Sequence, residues 1–306
     1  MLYFLLYIIL TVGQCYITKP NRMVIVTGGT RGIGKGISEA MAENGNDLLL
    51  SYMSNKGRAE ECKKYLSSKY NIKVETISGD ISTKETRDKI FKLYDNKYKN
   101  THELKAVIHN AGQYVGLTAL NENNLSKNYY NFGDGSLLKV KNSNKEEERE
   151  VYFEQMKYYQ RLYGDAYIDL CERGLERMKN TGSLIGISSP GCNINYRPPV
   201  GYDMPGTGKC IMEFTMRLFA IRAAPRGINC NVIIPGATDT DALNKMIEEY
   251  GEDKKKGLEF IKSRIPMNNL LKPEEIGKVV NFLCSENGKK ITGISLPVDG
   301  GSHLNS

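Results

Sequence analysis

Histidine is scarce in this 306-residue chain, at three in all (His102, His109 and His303), and no two of the seven cysteines (15, 62, 171, 192, 210, 230 and 284) lie two or three residues apart. Zinc sites draw on clustered Cys and His at short ligand spacings, so no metal centre is expected. An odd, scattered cysteine set also argues against a disulfide framework and fits reduced thiols in a core. Blocks of like charge are missing too. Lys plus Arg number 42 and Asp plus Glu 35, a formal charge of +7 spread over interleaved signs, without the basic arm or stripe of a nucleic-acid binder. The hydrophobic leader Met1 to Val12, MLYFLLYIILTV, is too short for a comfortable membrane span and lacks a positive flank. Gly13-Gln14-Cys15 puts small residues at −3 and −1 of a signal-peptidase cut. Residues 1–22 therefore read as a signal-like leader, leading to the secretory route or an organelle reached through it. A retained anchor, or a cytoplasmic protein starting at Met23, are the alternatives.

What is present is ordinary for a globular protein: 40% hydrophobic and 25% charged residues, enough for a sizeable core. The length allows two domains, but one pattern runs from Met23 to the end: short β-rich apolar runs alternate with segments of helical period. Strands are expected at Met23–Thr27, Asp47–Tyr52, Lys73–Ile77, Leu104–His109, Ser183–Ser188, Ile228–Ile234 and Ile294–Val298. Runs such as VIV, LLL and NVII imply burial on both faces, as in a mainly parallel sheet covered by helices. The expected fold class is α/β, a single doubly wound domain over 23–306 with seven strands, whose ligands sit beyond the strands' carboxyl ends.

One segment breaks the rhythm. Residues 113–150 are rich in Asn, Lys, Gly and Ser, contain Phe132-Gly133-Asp134-Gly135, and end in the charge run Lys145 to Glu150. They read as an inserted loop, long enough to be functional, and their place after the fourth strand sets them near a substrate entrance. Asp241–Lys262 is expected on the other side of that mouth, and either segment can act as a lid.

The first strand runs into Thr27-Gly28-Gly29-Thr30-Arg31-Gly32-Ile33-Gly34-Lys35-Gly36 and then a helical pattern. Glycines at 28, 32 and 34 leave no β-carbons between a pyrophosphate and the N–H groups at the helix start. This is the phosphate loop of a Rossmann-type domain. A carboxylate ending the second strand would bind the ribose 2′-hydroxyl of NAD and repel a 2′-phosphate. None stands in Ser51-Tyr52-Met53-Ser54-Asn55-Lys56, and Arg31 offers a fork-shaped cation for a phosphate. NADPH is the expected cofactor.

The TGxxxGxG spacing resembles the short-chain dehydrogenase/reductase family, as do Asn110-Ala111-Gly112, Ile187-Ser188-Ser189 and Pro235-Gly236-Ala237-Thr238-Asp239-Thr240, which follow the fourth, fifth and sixth strands in order. The resemblance covers Met23 to Gly301. It implies that Gly28, Thr30, Arg31, Gly32, Ile33 and Gly34 cradle the pyrophosphate, with Tyr52, Ser54, Asp80 and Ile81 around the adenosine. Asn110, Ala111 and Gly112 would line the cleft, and Pro235, Gly236, Thr238 and Thr240 hold the nicotinamide end.

The resemblance also implies a Tyr as proton donor, a Lys that binds the nicotinamide ribose and lowers the Tyr pKa, and a Ser that supports the substrate oxygen. A phenol of pKa about 10 needs such a neighbouring ammonium to act near neutrality. Tyr202 lies 13 residues beyond Ser189, the separation usual in the family's ketoreductases. The position four after Tyr202, where most members carry the lysine, is Gly206, and the first lysine is Lys209. Seven residues turn about 700°, roughly 20° short of two turns, so Lys209 can share a face with Tyr202 if the helix includes both. Pro205, Gly206 and Gly208 favour a helix that begins only at Pro205. The Y-x6-K spacing resembles the NADPH-using enoyl-acyl carrier protein reductases. Arg161 stands where the family usually has an Asn of the proton relay. Tyr196 reads as a wall or core residue and Cys192 as a buried small one.

The leading expectation is reduction of a 2-enoyl thioester, carried by acyl carrier protein or CoA, with Ser189, Tyr202 and Lys209 as catalytic residues. The Ser spacing favours a 3-oxoacyl-acyl carrier protein reductase, or another carbonyl reductase of the same family, instead. A non-catalytic dinucleotide-binding protein is the third reading. Family resemblance implies a homo-oligomer, dimer or tetramer.

Overall fold

The structure, a computed structural model, describes residues 21–113, 145–193, 196, 203–249 and 254–305. Residues 1–20 of the leader, most of the expected insertion, and Tyr202 lie outside the described residues, whereas Asn21 and Arg22, assigned to the leader from the sequence, pair with His102 and Glu103 as the start of the first strand.

Seven strands form one sheet in the order β3-β2-β1-β4-β5-β6-β7, every adjacent pair parallel. They are β1 (Asn21–Thr27), β2 (Asp47–Tyr52), β3 (Val74–Ser78), β4 (His102–His109), β5 (Gly182–Ile187), β6 (Ile228–Pro235) and β7 (Ser295–Val298). All seven lie where the apolar runs predict them, with ends shifted by two residues at most. Burial on both faces is direct: Met23 and Ile25 enter one core cluster, while Val24 and Val26 enter the other. The helices covering the sheet are α1 (Gly32–Glu43), α2 (Lys56–Tyr70), α3 (Lys84–Lys97), α4 (Lys145–Gln160), α5 (Ala166–Arg177), α6 (Asp203–Ala223), α7 (Asp241–Glu249), α8 (Lys254–Ser263) and α9 (Pro273–Leu283). A π turn, Arg161–Asp165, joins α4 to α5.

The order reverses between β1 and β4, which opens the crevice where such sheets hold ligands. Two boundaries differ from expectation. The charge run Lys145 to Glu150 belongs to α4 and not to a loop. Helix α6 begins at Asp203, ahead of Pro205, and runs through Gly206 and Gly208. Close packing explains this tolerance: a Cβ on Gly208 would lie 2.3 Å from the Tyr159 carbonyl oxygen, and one on Gly164 would lie 2.7 Å from Ile211. Glycine's propensity cost of about 1 kcal/mol is accepted where α6 must touch α4 and the π turn.

The crossing of α1 and α9 is equally tight. A Cβ on Gly36 would meet the Pro273 carbonyl oxygen at 2.2 Å, and one on Gly277 would meet the Gly36 carbonyl oxygen at 2.2 Å. Backbone cannot yield as a side chain can, so Gly36→Ala must pry the helices apart. The expected result is a loss of about 2–3 kcal/mol, read as a lower denaturation midpoint at unchanged slope; an unchanged midpoint would contradict this packing.

Candidate active site

The phosphate loop follows from its glycines. Gly28 (φ +62°) and Gly32 (φ +50°) occupy the left-handed region, which costs most residues free energy. A Cβ on Gly34 would sit 2.1 Å from the Gly28 carbonyl oxygen and 2.5 Å from Asn110 Nδ2. Arg31, extended and exposed, precedes the first turn of α1. Thr30 is buried and Ile33 half-buried beside it. The start of α1, with its N–H groups and dipole and glycines in place of side chains, is a ready anion site, and these residues fit the diphosphate of a dinucleotide.

Thr27 ties this loop to the neighbouring strand. Its Oγ1 accepts from the Asn110 and Ala111 N–H groups, both at 3.0 Å, and bonds His109 Nδ1 at 2.9 Å. With both acceptor positions used, the hydroxyl donates to His109, and Nε2–H then donates to the Leu162 carbonyl at 2.9 Å. Burial agrees with a neutral ring, because it lowers the His109 pKa to about 4. Asn110 Nδ2 donates to the Thr27 and Gly28 carbonyls at 3.2 and 3.1 Å, so Asn110 braces the Gly-rich loop.

At the adenosine end, Tyr52 is half-buried and Ser54 exposed. The Asp80 carboxylate accepts from the Ser82 N–H at 2.9 Å and from the Tyr158 hydroxyl at 3.1 Å. Ile81 is buried in a core cluster with Ile90 and Phe91, so its side chain serves packing. Across the mouth, Arg58 of α2 donates to Asp241 of α7 at 2.5 Å. Thr240 lies against the loop, its Cγ2 3.5 Å from where a Gly32 Cβ would be. Thr238 Oγ1 donates to the Gly236 carbonyl at 2.8 Å, and Thr240 Oγ1 to the Thr238 carbonyl at 3.3 Å. Gly112 lies beside the Tyr163 hydroxyl, 3.0 Å from the position of its own would-be Cβ, and Pro235 ends β6. The expected cofactor residues thus gather at one sheet end.

Lys209 is buried at the carboxyl end of β5. Its Nζ donates to the Ile187 carbonyl at 3.1 Å and lies 4.6 Å from the centre of the Tyr163 ring. Tyr163 in turn joins the end of β4, donating to the Gln113 carbonyl and accepting from the Gln113 N–H, both at 3.2 Å. Burial lowers the Lys209 pKa to about 8, against the raising influence of Cys192 and Glu213. Ser189 is half-buried next to buried Ser188. It is Ser188 whose hydroxyl donates to Glu213 Oε1. Glu213 also accepts from Asn193 Nδ2 and Ser295 Oγ, each at 2.7 Å. This buried carboxylate, one helical turn beyond Lys209, ties α6 to the loop after β5 and to β7. Tyr196 is buried with its hydroxyl on Asp299 at 3.0 Å, the wall or core position expected of it.

A family model described as short chain dehydrogenase matches residues 22–131, and one described as enoyl-(acyl carrier protein) reductase matches residues 150–303. The chain belongs to the short-chain dehydrogenase/reductase family. It is 28% identical over 284 residues to the uncharacterized oxidoreductase YmfI of Bacillus subtilis, covering 92% of this chain and 99% of that one. It is 26% identical to the 3-oxoacyl-[acyl-carrier-protein] reductase FabG of Aquifex aeolicus, covering 93% and 98%. Among solved structures it is similar to YwfH, an NADPH-dependent reductase involved in bacilysin biosynthesis, at 25% identity, a TM-score of 0.74 and coverage of 92% and 98%. The L-sorbose reductase of Gluconobacter frateurii shares the fold at 20% identity, with a TM-score of 0.73 and coverage of 93% and 97%.

As a short-chain dehydrogenase/reductase, this oxidoreductase departs from the common pattern at Lys209 and Arg161. Arg161 is exposed at the start of the π turn, so its side chain is no substitute for a relay Asn inside the site. The π turn, a feature recurrent at functional sites, instead carries Tyr163 beneath Lys209. Neither Tyr163 nor Glu213 is among the residues expected from the sequence. Glu213 carries a signal all the same, since it stands four residues after Lys209 on the same helix face.

Proposed function

We propose that this oxidoreductase reduces a 2-enoyl thioester with NADPH. The observation that carries the reading is the placement of Lys209, buried over Tyr163 at the end of β5, seven residues after Tyr202 as in a Y-x6-K enoyl reductase. NADPH over NADH follows from the missing carboxylate at the end of β2 and from exposed Arg31 at the start of α1. The matched family model over the second half of the chain bears the enoyl reductase description.

The Gly-rich loop, Asn110 and the Thr238–Thr240 segment would hold NADPH, which would supply a hydride for the β-carbon of the enoyl group. Tyr202, as the neutral phenol, donates a hydrogen bond to the thioester carbonyl oxygen, stabilises the enolate and gives it the phenol proton, which leaves a phenolate. Lys209 binds the nicotinamide ribose and favours the Tyr202 phenolate. Ser189 supports the same carbonyl oxygen.

A second reading, 3-oxoacyl reduction, is favoured by the 13-residue step from Ser189 to Tyr202 and by similarity to a FabG. In it Tyr202 protonates the alkoxide. NADPH oxidation with crotonyl and acetoacetyl thioesters side by side separates them: crotonyl turnover is expected, and acetoacetyl turnover with an idle crotonyl substrate would establish the second reading.

The carrier is proposed to be acyl carrier protein, an acidic partner suited to a chain of net charge +7. Phe214, Leu218 and Ile221 line one face of α6 at 57%, 53% and 75% exposure. A stripe of that kind supports a homo-oligomer closed on this helix. The leader is proposed to direct the chain into the secretory route.

A further inference from the structure

We propose that Cys192 and Cys210 form an oxidisable thiol pair, a modification site that closes as a disulfide and disables the neighbouring catalytic loop. Cys192 lies three residues beyond Ser189 and next to Asn193; Cys210 directly follows Lys209. The pair therefore joins the two backbone segments that position the serine and the lysine. Cys210 Sγ donates to the Cys192 carbonyl oxygen at 3.2 Å, so its sulfur lies against the Cys192 backbone. That contact makes the two residues direct neighbours across the loop and α6, the proximity a disulfide requires.

The two sulfurs are unequal, as an attacking and a resolving thiol should be. Cys210 is exposed and Cys192 buried. The influence of Cys192 holds the Cys210 thiol below the ordinary cysteine range, while that of Cys210, with burial, pushes Cys192 well above it. The thiolate is the nucleophile, so a hydroperoxide reacts first at Cys210. Cys210 sulfur takes one peroxide oxygen to become a sulfenic acid, and the O–O bond breaks to release water or an alcohol. Cys192 then attacks the Cys210 sulfur; the S–O bond breaks, and the departing hydroxide leaves as water with the Cys192 proton. Two thiols lose two electrons and the peroxide gains them. The other described cysteines (62, 171, 230 and 284) are all buried, and burial raises each of their pKa values, which sets this pair apart.

Closure acts on the site through the loop. Asn193 Nδ2 holds Glu213 at 2.7 Å, and drawing Cys192 onto α6 strains that contact and shifts Ser189. The inference is independent of which thioester is reduced, since the cross-link is read on the protein itself.

The test treats the full-length, fully reduced chain with hydrogen peroxide and maps non-reduced peptides by mass spectrometry. NADPH oxidation with crotonyl and acetoacetyl thioesters and NADPH binding by fluorescence are measured in parallel. A 192–210 cross-link is expected, with at least a tenfold loss of turnover, full recovery in dithiothreitol and NADPH still bound. Cys210→Ser should form no cross-link and keep its turnover under peroxide; Cys192→Ala should stop at the Cys210 sulfenic acid. Oxidation of Cys210 in the intact chain with no cross-link would overturn the pair. A cross-link that leaves turnover unchanged would overturn its coupling to the site. If neither thioester is turned over before oxidation, the peptide map alone decides the pair, and that result counts against the substrate reading instead.

Discussion

Lys209→Ala is expected to lower kcat/KM for NADPH-dependent reduction roughly a thousandfold, the scale of a lost acid–base partner. The ammonium is buried, with one N–H on the Ile187 carbonyl and the Tyr163 ring beneath it. Lys209→Arg should not rescue, because a planar, forked guanidinium does not reproduce the compact point charge of the buried ammonium. The wild-type pH profile carries a second signature. Burial brings Lys209 to about 8, so kcat/KM, which reports the free enzyme, should fall above pH 8 as the ammonium is lost. Stability runs the other way. The folded pKa lies below the unfolded value of about 10.4, so folding charged Lys209 carries a cost that is fully present below pH 8 and relieved as pH rises to about 10.5. Lys209→Met should therefore be inactive yet more stable than wild type at pH 7, by up to about 3 kcal/mol. A variant that is inactive and also less stable at pH 7 would contradict this account of the lysine.

Glu213→Ala should be the most destabilising single change at the site, costing roughly 3–5 kcal/mol. Its carboxylate receives three donors, from Ser188, Asn193 and Ser295. Removing it leaves those groups unsatisfied at about 1–3 kcal/mol each where buried, partly recovered by water. Because the three donors belong to the loop after β5 and to β7, the loss loosens the segment that carries Ser189. Glu213→Gln separates charge from packing. Its amide keeps one acceptor and turns two N–H groups toward existing donors, and it withdraws the carboxylate's raising influence on Lys209. The alkaline limb of kcat/KM should move to lower pH in Glu213→Gln. A limb left at pH 8 would show that Glu213 acts on Lys209 only through packing.

Much of this architecture was legible in the chain because local signals and tertiary demands agree. Strands buried on both faces are written as continuous apolar runs, and Leu48, Leu49 and Leu50 are all fully buried. The phosphate loop was legible because glycine is favoured at the positive φ of Gly28 and Gly32 and is required by the backbone contact at Gly34. Helix α6 was harder to read. Propensity alone argues for a late start and against Gly206 and Gly208, whereas the helix begins at Asp203 because Gly208 is required against the Tyr159 carbonyl. The charge run from Lys145 to Glu150 read as loop because no apolar period marks it, yet it forms the start of α4. Tyr163 was invisible for another reason: a π turn has no sequence signature, and 46 residues separate it from Lys209. Ser188 and Ser189 are adjacent and chemically alike, and only the fold shows which hydroxyl Glu213 holds.

Tyr202 and Lys209, seven residues apart, are proposed to act as one proton-donating pair in this NADPH-dependent reductase. Single-turnover oxidation of bound NADPH by Tyr202→Phe, with crotonyl and acetoacetyl thioesters, tests it most directly. The account predicts at least a hundredfold slower oxidation than wild type, with NADPH binding by fluorescence unchanged. Oxidation at the wild-type rate in Tyr202→Phe would contradict it.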